Sequence, residues 1–486
     1  MTNPLKKLNE ECGVFGIYDP KGEMDLAYET YRALFSLQHR GQESCGISIN
    51  VDGVLSTTVG MGLVSDVFTK DKLDSISKDA KMATGHVRYA TSGQRSISNA
   101  QPMVVHHSKG ALSLAHNGNL TNALKLRHEL ENKGSIFHGT SDSEIISHII
   151  TQMRITSPNI ETAIKKTMDV IKGAYCLVLM SATKLIAVRD PNGIRPLCFG
   201  KTEEGAWVVA SESVALDIVG AKLIRDVKPG EIIVFDIDGM RSIEDKCNIA
   251  KHNLCVFEYM YFARPDSVIE KTCVHEARVE CGRMLARADS IDADVVIGAP
   301  DSGLDAAQGY AKESGIPFEA GIVKSKYVGR SFIQGSQNER ANTVRIKLNP
   351  IPSSIKGKRV VLVDDSIVRG TTSKRLIELL RRAGAKEVHF RVSSPPFRYP
   401  CFFGTDVADV DQLVANGRTI DEICKILGCD TLQYLSIEDS KKIAIHSDCG
   451  FCMGCFTGEY PVEITENQNE IPYTRPLSKS GTGKKL

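Results

Sequence analysis

Two carboxylates stand side by side, Asp364 and Asp365, in the run VVLVDDSIVRGTT. The branched apolar residues before them read as a buried strand, and the polar loop after them opens a helix. Ligands of open α/β sheets bind at the C-terminal ends of the strands. Ser366, Arg369, Gly370, Thr371 and Thr372 complete that loop; a Gly-Thr-Thr turn at a helix N-terminus offers N–H groups and hydroxyls to a phosphate. Adjacent carboxylates suit a ribose diol and a hard metal ion. A second loop, Gly298-Ala299-Pro300-Asp301-Ser302-Gly303, has the small residues of a diphosphate loop at another strand end. Between the two runs a basic, Gly-containing segment, with Lys324 and Lys326 near its start and Gln334 at its end, is suited to closing over a polyanion.

A different chemistry gathers in the first third of the chain. Cys12 precedes the apolar run GVFGIY and alone reads as a core thiol. Four further strings change that reading: Gln38 to Glu43 (QHRGQE), Gly85 to Thr91 (GHVRYAT), His116 to Leu120 (HNGNL) and Thr140 to Glu144 (TSDSE). Together they supply what amide hydrolysis at a nucleophile needs. The strings hold a guanidinium for a substrate carboxylate, a carboxylate for its ammonium, and an amide side chain with a neighbouring backbone N–H for the oxyanion. Asn117-Gly118 is also a hairpin-turn dipeptide, and a turn can present such a hole. No histidine triad accompanies Cys12, which points to its own α-amine as the base, with an ordinary pKa of about 7.7 to 8.0. That requires removal of residues 1–11.

Cys449, Cys452 and Cys455 form two overlapping C-x-x-C pairs, a metal-binding spacing in a reducing compartment. Three thiolates leave a four-ligand site short, and Cys255 and Cys401 are available. Zinc and an iron–sulfur cluster both remain open on spacing alone.

The elements that must carry these groups fall into two halves. To about residue 238, short strand-like runs alternate with helical stretches near Leu26 to Leu37 and Asp142 to Met153, which predicts layered sheets covered by helices. Residues 239–255 are polar and turn-rich and read as the crossing between domains. Beyond them, apolar four-residue strands lead into amphipathic helices, the pattern of a parallel α/β sheet. At 486 residues two domains are expected. The predicted boundaries are 1–11 as a leader, 12–240, 241–470, and a polar tail at 471–486. Lys and Arg total 60 against 59 Asp and Glu, so the basic excess of a nucleic-acid or anionic-membrane binder is missing. Small-molecule substrates are expected, in a cytoplasmic protein that keeps its 14 cysteines largely reduced.

The DD-to-GTT run resembles the phosphoribosyl diphosphate fingerprint of type I phosphoribosyltransferases. Placed behind an N-terminal nucleophile glutaminase, it makes the chain similar to the glutamine phosphoribosylpyrophosphate amidotransferase family from about Asn9 to Pro461, in particular its propeptide-bearing, iron–sulfur subgroup. The resemblance implies an αββα glutaminase domain followed by a parallel α/β phosphoribosyltransferase domain, together α+β and α/β. It implies Cys12 as nucleophile, Arg88 and Asp142 holding glutamine, and Asn117 with Gly118 as the oxyanion hole. Phosphoribosyl diphosphate would meet residues 364–372 with Lys324 and Lys326, Mg2+ would meet Ser302, Asp364 and Asp365, and a 4Fe-4S cluster would sit on Cys255, Cys401, Cys452 and Cys455. It further implies transfer of ammonia from glutamine to 5-phosphoribosyl 1-diphosphate through a passage closed by the loop from Lys324 to Gln337. Inhibition by purine nucleotides and a homotetramer are implied too. Gly335 stands in that loop where the family often has Pro, which loosens the hinge.

Two rivals define what must be tested. Glucosamine-phosphate and asparagine synthases share the first half of the pattern but lack the DD-to-GTT run. A regulatory sensor of phosphoribosyl diphosphate would keep that run and have no use for Cys12, Arg88, Asn117 and Asp142.

Overall fold

The computed structural model describes residues 12–89, 95–288, 290–325, 348–405, 407 and 410–465. The leader expected at 1–11, Lys326 with most of the basic loop, and the tail expected at 471–486 lie outside the described residues.

In the first half, two antiparallel sheets stack face to face. One has seven strands in the spatial order Ala221–Asp226, Cys198–Thr202, Trp207–Ala210, Gly13–Tyr18, Met82–Arg88, Ser44–Val51 and Val54–Met61. The other has six, in the order Gly239–Ile243, Ile232–Asp236, Leu185–Arg189, Gly173–Met180, Gly110–Leu120 and Met103–His107. Period-two alternation sorts the side chains: in the first strand Phe15 and Ile17 face the helix side, while Val14 and Tyr18 face the second sheet. Helix Leu26–Ser36, capped by Asp25 accepting from the Tyr28 N–H, covers the first sheet. Helices Asp142–Thr156 and Ile160–Val170 cover the second. The result is the expected αββα sandwich.

The strand Gly239–Ile243 differs from the sequence expectation. It is the sheet's edge, exposed at Arg241 and Ser242 and only partly buried elsewhere, so no hydrophobic period marks it. The sheet therefore runs past the boundary expected at 240, as far as Ile243.

In the second half, four parallel strands lie in the order Val295–Gly298, Arg359–Asp364, Glu387–Val392 and Thr431–Tyr434. Val296, Val361 and Val363 point to one core, and Val295, Ile297, Val360 and Leu362 to the other. Helices Leu304–Ser314 and Thr371–Arg382 follow the first two strands, as their amphipathic pattern predicts.

The halves meet through buried polar contacts. A wide helical turn, Glu258–Phe262, carries Glu258 to Arg40 and, at 3.4 Å, to Arg195, all fully buried. Arg195 also donates to the carbonyl of Phe403 at 2.7 Å, and Glu212 accepts from the Arg264 N–H at 2.9 Å. No helix among the described residues is long and apolar enough to cross a membrane.

Candidate functional site

Cys12 sits one residue before the strand Gly13–Tyr18, whose antiparallel pairing of Gly13 with Val87 brings it beside the end of Met82–Arg88. The residue is 7% exposed, and its thiol donates to the Tyr89 carbonyl at 3.5 Å. Arg88 is buried and pairs with Glu43 from the QHRGQE string. Gly41 in that string is a spacing requirement: a Cβ there would lie 2.6 Å from the Arg88 nitrogen.

The second sheet supplies the other groups. Asn117 and Gly118 lie inside the strand Gly110–Leu120, not in the hairpin turn their sequence suggests. The reason is local. Gly118 takes φ +140°, and a Cβ on it would come within 2.1 Å of the Ala174 carbonyl oxygen, so glycine serves a close strand approach here. The Asn117 side chain is buried, and its Nδ2 has no hydrogen-bond partner among the described residues. Asp142 opens the helix Asp142–Thr156; it accepts from the Leu120 N–H at 3.0 Å and lies 3.7 Å from His116 Nδ1. His86, two residues before Arg88, hydrogen-bonds with the His116 carbonyl at 2.9 Å and ties the sheets together at this point. Burial holds both histidines neutral: it pushes His86 down to about 3 and lowers His116 against the pull of Asp142.

In the second domain, parallel pairing of Gly298 with Val363 puts the two strand-end loops side by side. The Ser302 hydroxyl donates to Asp365, whose other oxygen accepts from Ser366 at 2.5 Å. Asp364 and Asp365 are each 5% exposed. They line one concavity with Ser366, Val368 and residues 369–373, and Tyr261 from the wide helical turn forms part of its wall. Gly370, at φ +77°, turns the chain into the helix Thr371–Arg382. Lys324 pairs with Asp301 of the neighbouring loop.

The cysteines separate into different surroundings. Two short strands, Leu254–Cys255 and Phe451–Cys452, pair in parallel and set Cys255 opposite Cys452. Cys255, Cys401, Cys452 and Cys455 line a single cavity with Phe257, Phe397, Phe403 and Tyr460. Burial, and then the proximity of Cys401, Cys255 and Cys452, pushes the Cys455 thiol far up. Cys449 does not line that cavity. No group of three or more His, Cys, Asp or Glu among the described residues is arranged to hold a metal ion.

Two domain families match the chain in this order: a glutamine amidotransferase domain over residues 86–217 and a phosphoribosyl transferase domain over residues 281–394. The amidophosphoribosyltransferase of Bacillus subtilis is 46% identical over 472 residues, 96% of this chain and 97% of that one. The amidophosphoribosyltransferase of Archaeoglobus fulgidus is 43% identical over 461 residues, 94% and 100% of the two chains. This chain belongs to the amidophosphoribosyltransferase family.

A solved relative, glutamine phosphoribosylpyrophosphate amidotransferase from B. subtilis complexed with ADP and GMP, superposes with a TM-score of 0.87 at 46% identity, covering 94% of this chain and 98% of that one. As an amidophosphoribosyltransferase, the protein hydrolyses glutamine and transfers the ammonia to 5-phosphoribosyl 1-diphosphate. The products are 5-phosphoribosylamine, glutamate and diphosphate, the first committed step of purine synthesis. Sequence reasoning had no signal for two parts of this arrangement. Glu43 as the partner of Arg88 is fixed only by strand pairing, and Tyr261 reaches the phosphoribosyl concavity from an interdomain turn that carries no motif.

Proposed function

We propose that Cys12 is the nucleophile of the glutaminase half and that Asp364 and Asp365 hold the acceptor of the second half. The observation that carries the first part is the buried Asn117 Nδ2, without a partner among the described residues, beside a Gly118 that the strand contact requires. A donor left unpaired in a fold costs about 1 to 3 kcal/mol, so its retention points to a partner that arrives with the reaction. In this reading residues 1–11 are removed, and the freed α-amine of Cys12 takes the thiol proton. The thiolate attacks the glutamine amide carbon while Asn117 and Gly118 stabilise the oxyanion. Arg88 binds the substrate carboxylate and Asp142 its ammonium. Water then releases glutamate, and ammonia attacks the ribose anomeric carbon as diphosphate leaves.

Ser366, Arg369, Gly370, Thr371 and Thr372 cradle the 5-phosphate, and Lys324 and Lys326 meet the diphosphate. The hydroxyl and carboxylates of Ser302, Asp364 and Asp365 are hard oxygen donors that fit Mg2+, which keeps few protein ligands and takes the rest from phosphate and water. It would neutralise charge on the leaving diphosphate.

Cys255, Cys401, Cys452 and Cys455 fit a 4Fe-4S cluster. The support is that four cysteines line one aromatic-walled cavity and that buried thiolates need a cationic partner. Purine nucleotides are the proposed inhibitors, because the B. subtilis relative is described in complex with ADP and GMP. We further place the domains at 12–243 and 244–470, the first ending with its sheet rather than at 240, in a cytoplasmic homotetramer. Anaerobic purification with intact mass and an iron and sulfide count tests leader and cluster together. A chain starting at Cys12 with four irons is expected; an active chain starting at Met1 overturns the α-amine mechanism.

A further inference from the structure

Two cysteines outside both sites and the aromatic cavity face each other. Cys424 lies in the last turn of helix Ile420–Leu427, and Cys429 follows the left-handed Gly428 that ends it, φ +80°. Their sulfurs are 3.3 Å apart, and the Cys424 thiol donates to the Cys429 carbonyl at 3.2 Å. Both residues are partly exposed and both are free thiols. Closing to the roughly 2.0 Å of a disulfide therefore needs only a small shift.

The segment between them lies beneath the phosphate loop. Leu427 is buried, and its Cδ2 is 3.2 Å from where a Gly370 Cβ would stand, with Val414 at 3.3 Å on the same side. Val414 in turn donates its N–H to the Val368 carbonyl of that loop at 2.9 Å. Drawing Cys429 toward the helix end moves the residues that support Gly370 from below.

We propose that Cys424 and Cys429 are a dithiol modification site that closes to a disulfide by exchange with a low-molecular-weight disulfide, and that closure weakens binding of phosphoribosyl diphosphate. In the first step one protein thiolate attacks the small disulfide; its S–S bond breaks, a mixed disulfide forms, and one small thiol leaves with a proton. In the second step the other protein thiolate attacks the mixed disulfide and releases a second small thiol. The protein loses two electrons and two protons, and the oxidant gains them. The effect on binding rests on the reading of residues 364–372 as the phosphoribosyl site.

The test uses the full-length enzyme in glutathione buffers from fully reduced to fully oxidised. Alkylation and peptide mapping report the bridge, and ammonia-dependent synthesis reports the KM for phosphoribosyl diphosphate without involving Cys12. A mapped Cys424–Cys429 bridge, a KM raised at least threefold, reversal by dithiothreitol and immunity of Cys424→Ser are the expected results. Absence of the bridge in fully oxidised buffer overturns the modification site, a measurement on the wild-type chain that does not depend on the variant folding. A bridge with unchanged KM, or the same KM rise in Cys424→Ser, overturns the coupling. Asp365→Asn in reducing buffer judges the site reading separately, since full synthesis by that variant removes it whatever the thiols do.

Discussion

Asn119 donates its side-chain amide to the carbonyl of Phe402 at 3.0 Å, tying the strand that carries Asn117 and Gly118 to the loop that carries Cys401. The backbone approach is equally close: a Cβ on Gly404 would stand 3.5 Å from the Gly118 carbonyl carbon. The glutaminase strand thus touches the loop whose Cys401 and Phe403 line the cysteine cavity. Cys401→Ser is expected to lose iron and to slow glutamine hydrolysis about tenfold, within the roughly 0.5 to 2 kcal/mol that contact networks transmit. Asn119→Ala should slow hydrolysis to a similar extent with iron retained. Iron content and glutaminase rate measured on both variants check this, and hydrolysis untouched in both would contradict it.

Asn117→Ala removes a donor that has no hydrogen-bond partner among the described residues. Glutamine hydrolysis should fall by about 100- to 1000-fold in kcat, the usual loss for one oxyanion donor. Ammonia-dependent synthesis and the thermal midpoint should stay near wild type. A large drop in the midpoint would mark Asn117 as structural.

Glu258 is fully buried between Arg40 and Arg195. Its replacement by Ala removes the carboxylate between two buried guanidinium groups, leaving Arg40 with Glu212 and Arg195 with the Phe403 carbonyl. Breaking such a network costs about 3 to 5 kcal/mol. Denaturant midpoints of the wild type and Glu258→Ala should separate accordingly, with Glu258→Gln between them.

Acid should weaken the sandwich through His86 and His116. Both are held neutral by burial, His86 with its pKa at about 3, whereas in the unfolded chain each titrates near its ordinary value of about 6.5. The unfolded state binds more protons below that value, so the stabilisation is complete above about pH 6.5 and is lost as pH falls. The slope approaches about 1.4 kcal/mol per pH unit for His86, and His116 adds in the same direction. Thermal midpoints between pH 7.5 and pH 4.5 measure it, and a reduced slope in His86→Gln is the expected signature.

The parts of this molecule that were legible in its sequence are those whose determinants are local. Asp364 and Asp365 follow an apolar strand and precede a Gly-Thr-Thr turn, and each feature announces the next. Strand Met82–Arg88 was recognised only as a motif because its buried Thr84 and His86 hide its hydrophobic pattern; their partners Ser113 and His116 lie in the other sheet. Asn117-Gly118 was misplaced into a turn for a related reason, since the Ala174 carbonyl that requires glycine comes from a strand more than fifty residues away in the chain. The Glu258–Phe262 turn has no local signal: its meaning lies in Arg40, Arg195 and the phosphoribosyl concavity, all distant in sequence.

The division of labour between Cys12 and the Asp364-Asp365 pair is tested most directly by synthesis of 5-phosphoribosylamine in two variants, each assayed with glutamine and with ammonia. Cys12→Ala should make product from ammonia and none from glutamine, while Asp365→Asn should make almost none from either. Glutamine-dependent synthesis by Cys12→Ala, or undiminished ammonia-dependent synthesis by Asp365→Asn, would contradict the account.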